Sequence, residues 1–275
     1  MSAPATPLFD AHAHAFPDRI AAGAIRQLTA EAKWMPVHAC HDGTVAGLLG
    51  GMDAAGVRVT ILCSVATKPT QVTKITDWSA QVASPRVIPF ASIHPDFPDV
   101  EAEVERAAAL GIRGLKFHPQ YMDCPADDPR VLRIARAADR CGLAMTFHSG
   151  HDLAFPRSDI ASPARLRRLH ELVPGLRLLC CHLGGWECWD EALAGLVGLP
   201  VYLETSYCLG QCPPPLLERI LAGHPREYLL FGTDSPWMSP ADELRKFRAL
   251  PLDAEALRLA LWDNTWHYLA LPPPA

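Results

Sequence analysis

The sequence has no excess of positive charge, no long apolar run and no leader-like start, and each absence excludes a class of protein. Its 25 Lys and Arg against 30 Asp and Glu give a formal net charge of −5, whereas an electrostatic nucleic-acid binder normally has a basic balance. No apolar run approaches the roughly 18 residues of a membrane span. The start, MSAPATPLFDAHAHAF, lacks a charged and an apolar leader segment, which predicts no signal peptide. We therefore expect no nucleic-acid partner and no membrane association.

The nine cysteines include no Cys-x-x-Cys pair. An odd, scattered set in a chain of 275 residues is not the framework of a small disulfide-stabilised domain. Cys63 and Cys180 lie inside apolar runs, where a free thiol packs as a small apolar side chain. This usage predicts a reducing compartment and hence a cytoplasmic location.

Eight short apolar runs with helical patterns between them indicate the fold. After the third run the helical patterns cover 99–110, 128–140, 190–197, 214–222, 240–250 and 254–262, and one more opens at Ser162; Asp128 and Ser162, each before a proline, are the expected caps. Several of these runs are continuously hydrophobic, as parallel strands buried on both faces are. The alternation predicts a single (β/α)₈ TIM-type barrel over residues 1–275, a size usual for that fold. The predicted strands are Leu8–Ala11, Val57–Val65, Val87–Ile93, Ile112–Phe117, Leu143–Phe147, Leu176–Cys181, Val201–Thr205 and Leu229–Gly232.

The connection between strands one and two, residues 15–56, is long and predicts an insertion. It contains helical patterns at about 18–33 and 43–55 around the segment WMPVHACHD, which we expect to be a loop over the barrel mouth. A doubly wound open sheet is the rival fold, but it usually has a glycine-rich phosphate turn after its first strand. Here the first strand leads into histidines, which favours the barrel.

His12 and His14 end the first predicted strand. Residues two apart in a strand share a face, so both imidazoles can point into one cavity and form half of a metal site. Taken alone, this pair is more readily explained as two unrelated histidines. Partners occur at matching positions, because His148, His182 and Asp234 follow strands five, six and eight. Strand ends converge at a barrel mouth, so the set of five favours metal binding.

The same segments, with others, resemble the amidohydrolase superfamily and within it the amidohydrolase-2 branch. The matching pieces are DAHAH, GIRGLKFHPQY, TFHSG, CHLGGWECWDEA, VYLETS, LFGTDSP and DNTWHYLAL. Members of this branch are metal-dependent barrels that include hydrolases and nonoxidative decarboxylases. The resemblance implies that four residues bind the metal and that His182 is the catalytic histidine of a mononuclear site. The implied ligands are His12, His14, His148 and Asp234.

The resemblance also implies the chemistry. A divalent metal on these ligands lowers the pKa of a bound water towards about 7. Asp234 is then placed to take the proton of that water and pass it to a leaving group, and His182 to act as a second acid or base or to hold an oxyanion. The alternative for His182 is binding of a second metal, as in binuclear members of the superfamily.

Lys116 and His118 share parity at the end of strand four, so we expect both to face the mouth. Elsewhere in the superfamily such a lysine is carbamylated and bridges two metals. In this branch the stretch resembles a site with unmodified lysine, which favours Lys116 as a cation for a substrate carboxylate or a partner of the metal-bound Asp234. His118 is either a substrate contact or a structural hydrogen-bonding residue.

Trp186, after the strand-six glycines, is either an apolar wall for a planar substrate or a packing residue. The weaker candidates are Trp34, His38, His41, Tyr121, His151, Arg157 and Trp237. Three further histidines fall in or beside helical patterns and are expected to be surface or packing residues: His170, His224 and His267.

Together these features predict a metal-dependent hydrolase that attacks an amide, cyclic amide, ester or lactone carbonyl of a small molecule with a metal-activated water. The enzymatic alternative is a metal-dependent nonoxidative decarboxylase of an aromatic or unsaturated acid, and a noncatalytic metal-binding barrel is a third reading. One divalent ion is expected. Zn²⁺ is preferred, Mn²⁺ or Fe²⁺ are alternatives, and a second ion is allowed. Members of the branch are often dimers, so the resemblance also allows a homodimer.

Overall fold

The computed structural model describes residues 6–274, so the first five residues and the last, which the domain prediction includes, lie outside it. Eight strands alternate with helices along this part of the chain. The strands are β1 Leu8–Ala13, β2 Val57–Cys63, β3 Val87–Phe90, β4 Gly114–Phe117, β5 Ala144–Phe147, β6 Leu178–Cys180, β7 Tyr202–Glu204 and β8 Leu229–Leu230. The eight predicted strands are therefore found, several of them shorter than their apolar runs.

Parallel pairing joins the strands in sequence order into sheets β1-β2-β3 and β4-β5-β6-β7-β8. Backbone hydrogen bonds close both gaps between these sheets. Lys116 N donates to Ala91 O at 2.8 Å, and Ala11 N donates to Phe231 O at 2.9 Å. The structure is thus the predicted α/β barrel, with all strand carboxyl ends at one mouth.

The helices form the outer layer. They are α1 Asp18–Glu31, α2 Val45–Ala55, α3 Val72–Val82, α4 Val100–Ala109, α5 Pro129–Arg140, α6 Pro163–Leu172, α7 Trp189–Gly195, α8 Pro214–Gly223, α9 Pro240–Arg248, α10 Ala254–Arg258 and α11 Asn264–Leu269. Within residues 6–274, no helix has the length and apolar character that crossing a membrane requires.

The predicted insertion between β1 and β2 contains α1 and α2, with an irregular loop between them. The loop binds to the segments that follow β5 and β8. Lys33 N donates to Leu153 O at 2.8 Å, and Cys40 N donates to Pro236 O at 2.8 Å. The WMPVHACHD segment therefore lies at the barrel mouth, as predicted.

Two helical features differ from the sequence prediction. Helix α3 was not predicted, because its sequence VTKITDWSAQV is rich in β-branched residues, which have low helix propensity. The single helix predicted over 254–262 instead ends at Arg258 and continues as a π-helical segment, Leu259–Asp263. There Ala260 O accepts a hydrogen bond from Phe231 N at 3.0 Å, so this carbonyl bonds to the barrel.

Two apolar clusters hold the barrel. The larger lies between the strands and the helices, and the second contains alternate residues of the strands, such as Phe9, Ile61 and Phe90, with the C-terminal aromatic residues. Trp266 packs edge-on against Phe9, with ring centroids 4.7 Å apart. Tyr268 is fully buried in the same cluster. A rigid core therefore lies beneath the mouth.

Candidate metal centre

The two histidines of β1 converge at the mouth. The register between β1 and β2 is irregular between Asp10 and Ala13, where β1 carries His12. The Nε2 atoms of His12 and His14 lie 3.1 Å apart. His12 is buried, whereas His14 is partly open to the cavity. The structure thus brings the first two proposed ligands together.

Asp234 reaches the same point from the segment after β8. Its Oδ1 lies 3.1 Å from Nε2 of His14 and 3.5 Å from Nε2 of His12. The backbone at Asp234 is left-handed, with φ +58°, and its N–H donates to His12 O at 2.7 Å. A non-glycine residue in this region is strained, and such strain often accompanies functional positions. Here it turns the carboxylate towards the two imidazoles.

The Nδ1 atoms of both imidazoles already have partners. His14 Nδ1 lies 2.8 Å from the carbonyl of Cys63, and His12 Nδ1 lies 3.2 Å from Oε1 of Glu204. Since a carbonyl and a carboxylate only accept hydrogen bonds, these contacts place the ring hydrogens on Nδ1 and make both Nε2 atoms acceptors. Outer partners of this kind are typical of histidines that bind metals.

Three acceptor atoms therefore meet without a shared proton: the Nε2 atoms of His12 and His14 and Oδ1 of Asp234. Burial lowers the pKa of His12 well below its ordinary range, and the neighbouring Lys116 lowers it further, so the ring is neutral. Two imidazoles beside a carboxylate are a donor set that fits Zn²⁺, Mn²⁺ or Fe²⁺.

Lys116 lies at the floor of this cluster, on β4. Its side chain is 1% exposed, and its Nζ lies 2.9 Å from Nε2 of His12 and 3.2 Å from Sγ of Cys181. No carboxylate oxygen lies within 4 Å of Nζ among the described residues. A buried ammonium whose neighbours are an imidazole and a thiol has capacity for an anionic partner.

His148 and His182 form a second pair beside the first cluster. Nδ1 of His148 faces Nε2 of His182 at 3.2 Å, while their other ring nitrogens bond to the carbonyls of His151 and Ser206, both at 2.9 Å. By the same reasoning, the two facing nitrogens are both acceptors. His182 lies close to His12, with ring centroids 5.6 Å apart.

The structure places His148 closer to His118 and Asp152 than to the other proposed ligands. The rings of His148 and His118 stack at 4.1 Å, and Nε2 of His118 lies 3.4 Å from Oδ2 of Asp152. Among the described residues, the atoms that could bind a metal fall into three groups: His12 with His14 and Asp234, His12 with Cys181 and His182, and His118 with His148 and Asp152. His148 is thus near the first cluster without belonging to it.

Above these residues opens a cavity of about 1830 Å³. It extends from the histidines outward between α1 and α3, where Leu28 and Trp78 line it. Most of the predicted mouth residues also line it: His12, His14, Lys116, His118, Tyr121, His148, His151, His182, Trp186, Asp234 and Trp237. The expectation that Lys116 and His118 face the mouth is met.

Other candidates lie at or beyond its edge. Trp34 packs against Trp186, with ring centroids 5.9 Å apart, and Nε2 of His41 lies 3.2 Å from Oγ of Ser235. Arg157 is exposed and pairs with Glu187 at 2.7 Å. His38 is exposed and, like Arg157, is not among the lining residues.

Trp186 is only 4% exposed, and its indole N–H donates to Gln211 Oε1 at 3.1 Å. It lines the cavity beside Tyr207, and its backbone pairs with that of Gly150. The two interpretations of this residue are therefore compatible, because one face of the ring packs while another borders the cavity.

Glu204 is a site residue that sequence reasoning missed. It ends β7 with no exposed surface and contacts both His12 and the backbone of His182. The available signal was a lone acidic residue at the end of an apolar strand, in the segment VYLETS. Few carboxylates are fully buried unless they are paired, so a buried glutamate at a strand end indicates a polar partner nearby.

The amidohydrolase-2 family model, described as Amidohydrolase, matches residues 9–265. The chain belongs to the amidohydrolase family. This match covers every strand end described above and confirms the resemblance of the sequence motifs. No curated protein has a matching sequence.

Solved structures similar to this amidohydrolase include enzymes of two kinds. 5-Carboxyvanillate decarboxylase LigW from Sphingomonas paucimobilis has 17% identity and a TM-score of 0.71, with 98% of this chain and 100% of that chain covered. The 5-carboxyvanillate decarboxylase from Novosphingobium aromaticivorans DSM 12444 was solved with manganese and 4-hydroxy-3-methoxy-5-nitrobenzoic acid. It has 14% identity and a TM-score of 0.72, with 96% of each chain covered. A probable 2-pyrone-4,6-dicarboxylic acid hydrolase from Acinetobacter baumannii, with citric acid bound, has 16% identity and a TM-score of 0.64, with 96% of this chain and 99% of that chain covered.

At these identities the similarity establishes the barrel fold of the family. One barrel fold can host many activities, so the activity of this amidohydrolase depends on the residues at its mouth.

Proposed function

We propose that this amidohydrolase is a metal-dependent nonoxidative decarboxylase of an aromatic or unsaturated carboxylic acid. The observation that carries the proposal is the buried ammonium of Lys116 beside the His12, His14 and Asp234 cluster. A cation at the floor of a cavity with aromatic lining suits a carboxylate on a planar ring. The decarboxylases among the similar structures support the same choice over the hydrolase that the sequence alone predicted first.

His12, His14 and Asp234 would hold the metal, with His148 as the fourth ligand that the family resemblance implies. When bound, a divalent ion supplies positive charge that polarises a carboxylate or lowers the pKa of a water. Zn²⁺ remains our predicted metal, and Mn²⁺ is an equal candidate because a similar structure contains it.

The residues of the chain account for substrate binding and proton transfer. Lys116 Nζ pairs with the substrate carboxylate, and Trp186 borders the ring. His182 donates its Nδ1 hydrogen to Ser206 O at 2.9 Å, so Nε2 is the atom that would take a proton from solvent and pass it to the substrate. That proton joins the carbon bearing the carboxylate, the bond between the two carbons breaks, its electron pair stays on the ring carbon, and CO₂ leaves.

The test is an assay of the metal-loaded enzyme in D₂O and, separately, in H₂¹⁸O, on a panel of hydroxybenzoates, unsaturated acids and lactones. Decarboxylation predicts release of CO₂ and one deuterium on the product carbon, with no ¹⁸O in the organic product. Incorporation of ¹⁸O without CO₂ would contradict the proposal.

Hydrolysis by a metal-activated water is the second candidate, with a lactone, ester, amide or cyclic amide as substrate. The probable pyrone-dicarboxylic acid hydrolase among the similar structures favours it, and Lys116 would then bind a carboxylate that is retained. Asp234, whose carboxylate adjoins the metal ligands, would take the proton of the attacking water.

The cytoplasmic location, the homodimer and the role of His118 stay predictions. Stacking of His118 on His148 and its contact with Asp152 favour a hydrogen-bonding role that supports the neighbouring ring.

A further inference from the structure

Glu204 contacts two histidines with different proposed roles: His12, a metal ligand, and His182, the acid that transfers a proton. Its Oε1 lies 3.2 Å from Nδ1 of His12 and accepts a hydrogen bond from the backbone N of His182 at 2.9 Å. One carboxylate oxygen thus joins a proposed metal ligand of β1 to the proposed acid of β6. The residue itself lies at the end of β7, between the two.

Two contacts of Ser206 complete the binding of this carboxylate. Ser206 Oγ donates to Oε1 at 2.8 Å, and Ser206 N donates to Oε2 at 2.5 Å. Four donors therefore surround Glu204, which satisfies a charge that has no contact with solvent. The arrangement is specific for two acceptor oxygens.

The effect on His12 follows from hydrogen-bond chemistry. A carboxylate accepts and cannot donate, so it holds the His12 hydrogen on Nδ1 and keeps the Nε2 lone pair directed at the cluster with His14 and Asp234. A carboxylate partner also raises the basicity of a ligating imidazole. Glu204 therefore keeps the His12 ring in the tautomer that can bind a metal ion, even in the metal-free protein.

The effect on His182 is positional. The His182 backbone is left-handed, with φ +59°, a strained conformation that needs support from its surroundings. Its N–H bonds to Glu204, and its Nδ1 bonds to the carbonyl of Ser206 at 2.9 Å. Glu204 and Ser206 together fix both the backbone and the ring of His182.

We propose that Glu204 is a positioning residue that sets the tautomer of His12 for metal binding and holds His182 in place for proton transfer. This inference rests on the proposed metal site. Its basis is the geometry of one buried carboxylate between two histidines, neither of which the sequence indicates as its partner.

The first test is the affinity of the metal-free protein for Mn²⁺ and Zn²⁺, measured by competition with a chromophoric chelator. Glu204→Gln preserves the shape of the side chain but puts an NH₂ group against either Ser206 N or the Oε1 donors. We expect affinity to fall about ten- to a hundredfold, as for other partners of metal-binding histidines. Glu103→Gln is the matched control, because Glu103 is a buried glutamate that pairs with Arg106 on α4, outside the site.

The second test requires no metal. Nitrogen NMR of histidine-labelled, metal-free protein, with His12 assigned through His12→Gln, reports which ring nitrogen bears hydrogen. We expect hydrogen on Nδ1 of His12 in the parent protein and a mixture of tautomers in Glu204→Gln.

The outcomes separate the inference from the proposed function. Failure of the parent protein to bind either metal would contradict the metal site. Binding by the parent together with unchanged affinity in Glu204→Gln, or hydrogen on Nε2 of His12 in the metal-free parent protein, would overturn the role of Glu204. An equal loss of affinity in Glu103→Gln would show a general effect of replacing a buried glutamate and would also overturn it.

Discussion

A Cβ atom on Gly232 would lie 2.3 Å from Oε2 of Glu204 and 3.3 Å from Cβ of His12. Gly232 follows β8, and its missing side chain is the space in which the Glu204 carboxylate sits. A glycine is therefore required here by close approach of a side chain.

We expect Gly232→Ala to displace Glu204 and to lower metal affinity about tenfold or more, since the outer partner of His12 is lost. Overpacking should also lower the free energy of unfolding by about 1–3 kcal/mol. Chelator competition and urea unfolding measure the two effects. Gly195→Ala is the control, because nothing lies within 4 Å of its added Cβ and alanine favours the helix. Parent-like metal affinity in Gly232→Ala would contradict this account.

The double variant His12→Ala/His14→Ala removes two of the three converging acceptors. We expect its bound metal, measured by inductively coupled plasma mass spectrometry after loading and desalting, to fall to background. His38→Ala/His267→Ala is the control, since both of its histidines are exposed. If the double variant retained the same stoichiometric metal as the parent, the site would be wrongly assigned.

Replacing Lys116 by Met should leave the metal content unchanged and reduce kcat/KM for a carboxylate substrate. The expected loss is about ten- to a hundredfold, equivalent to about 1.5–3 kcal/mol for a hydrogen bond to a charged group. Arg157→Met is the control, and we expect it to stay within about twofold because the guanidinium is exposed and pairs with Glu187. A parent-like kcat/KM in Lys116→Met would show that Lys116 does not bind the substrate carboxylate, and it would contradict the main argument for decarboxylation.

Stability should fall in mild acid because of His224, which is buried at the end of α8. Burial lowers the pKa of His224 to about 4 from its ordinary 6.5, so between these values the unfolded chain binds the proton and the folded protein does not. The free energy of unfolding should therefore be fully retained above about pH 6.5 and fall by up to about 3 kcal/mol as the pH drops to about 4.

Urea unfolding across this range checks the effect of His224. The variant His224→Gln should show a shallower decline, whereas His267→Gln, which alters an exposed histidine of α11, should follow the parent. A decline of equal slope in His224→Gln and the parent would assign the acid sensitivity to other groups.

The barrel could be predicted because buried parallel strands are continuously apolar and helices between them begin with local signals. Asp128 and Ser162, each followed by proline, cap α5 and α6 as expected. Helix α3 was not predicted because its buried residues, Val72, Thr76 and Ser79, are β-branched or small and polar. Its helix depends on packing, which local preference does not describe.

The sequence indicates which residues lie at the strand ends of the candidate site. It does not indicate which of their side chains meet or how their rings are oriented. His12 and His14 share a strand, so their proximity follows from a period of two. The separation of His148 from that pair depends on ring orientation, which is set by the carbonyl of His151. Glu204 is 192 residues from His12, and nothing local marks it as a partner.

The nine cysteines differ sharply in access to solvent. Cys40, in the loop at the mouth, is exposed, Cys141 is partly buried, and the other seven are buried. Burial raises the pKa of thiols such as Cys63 and Cys188, to about 12 and about 11, which suppresses their reaction with alkylating reagents. Burial also raises the pKa of Cys40, but its exposure makes it the thiol that a limiting amount of maleimide dye should label first. The native chain thus provides its own attachment point for a fluorophore beside the opening through which a substrate must pass.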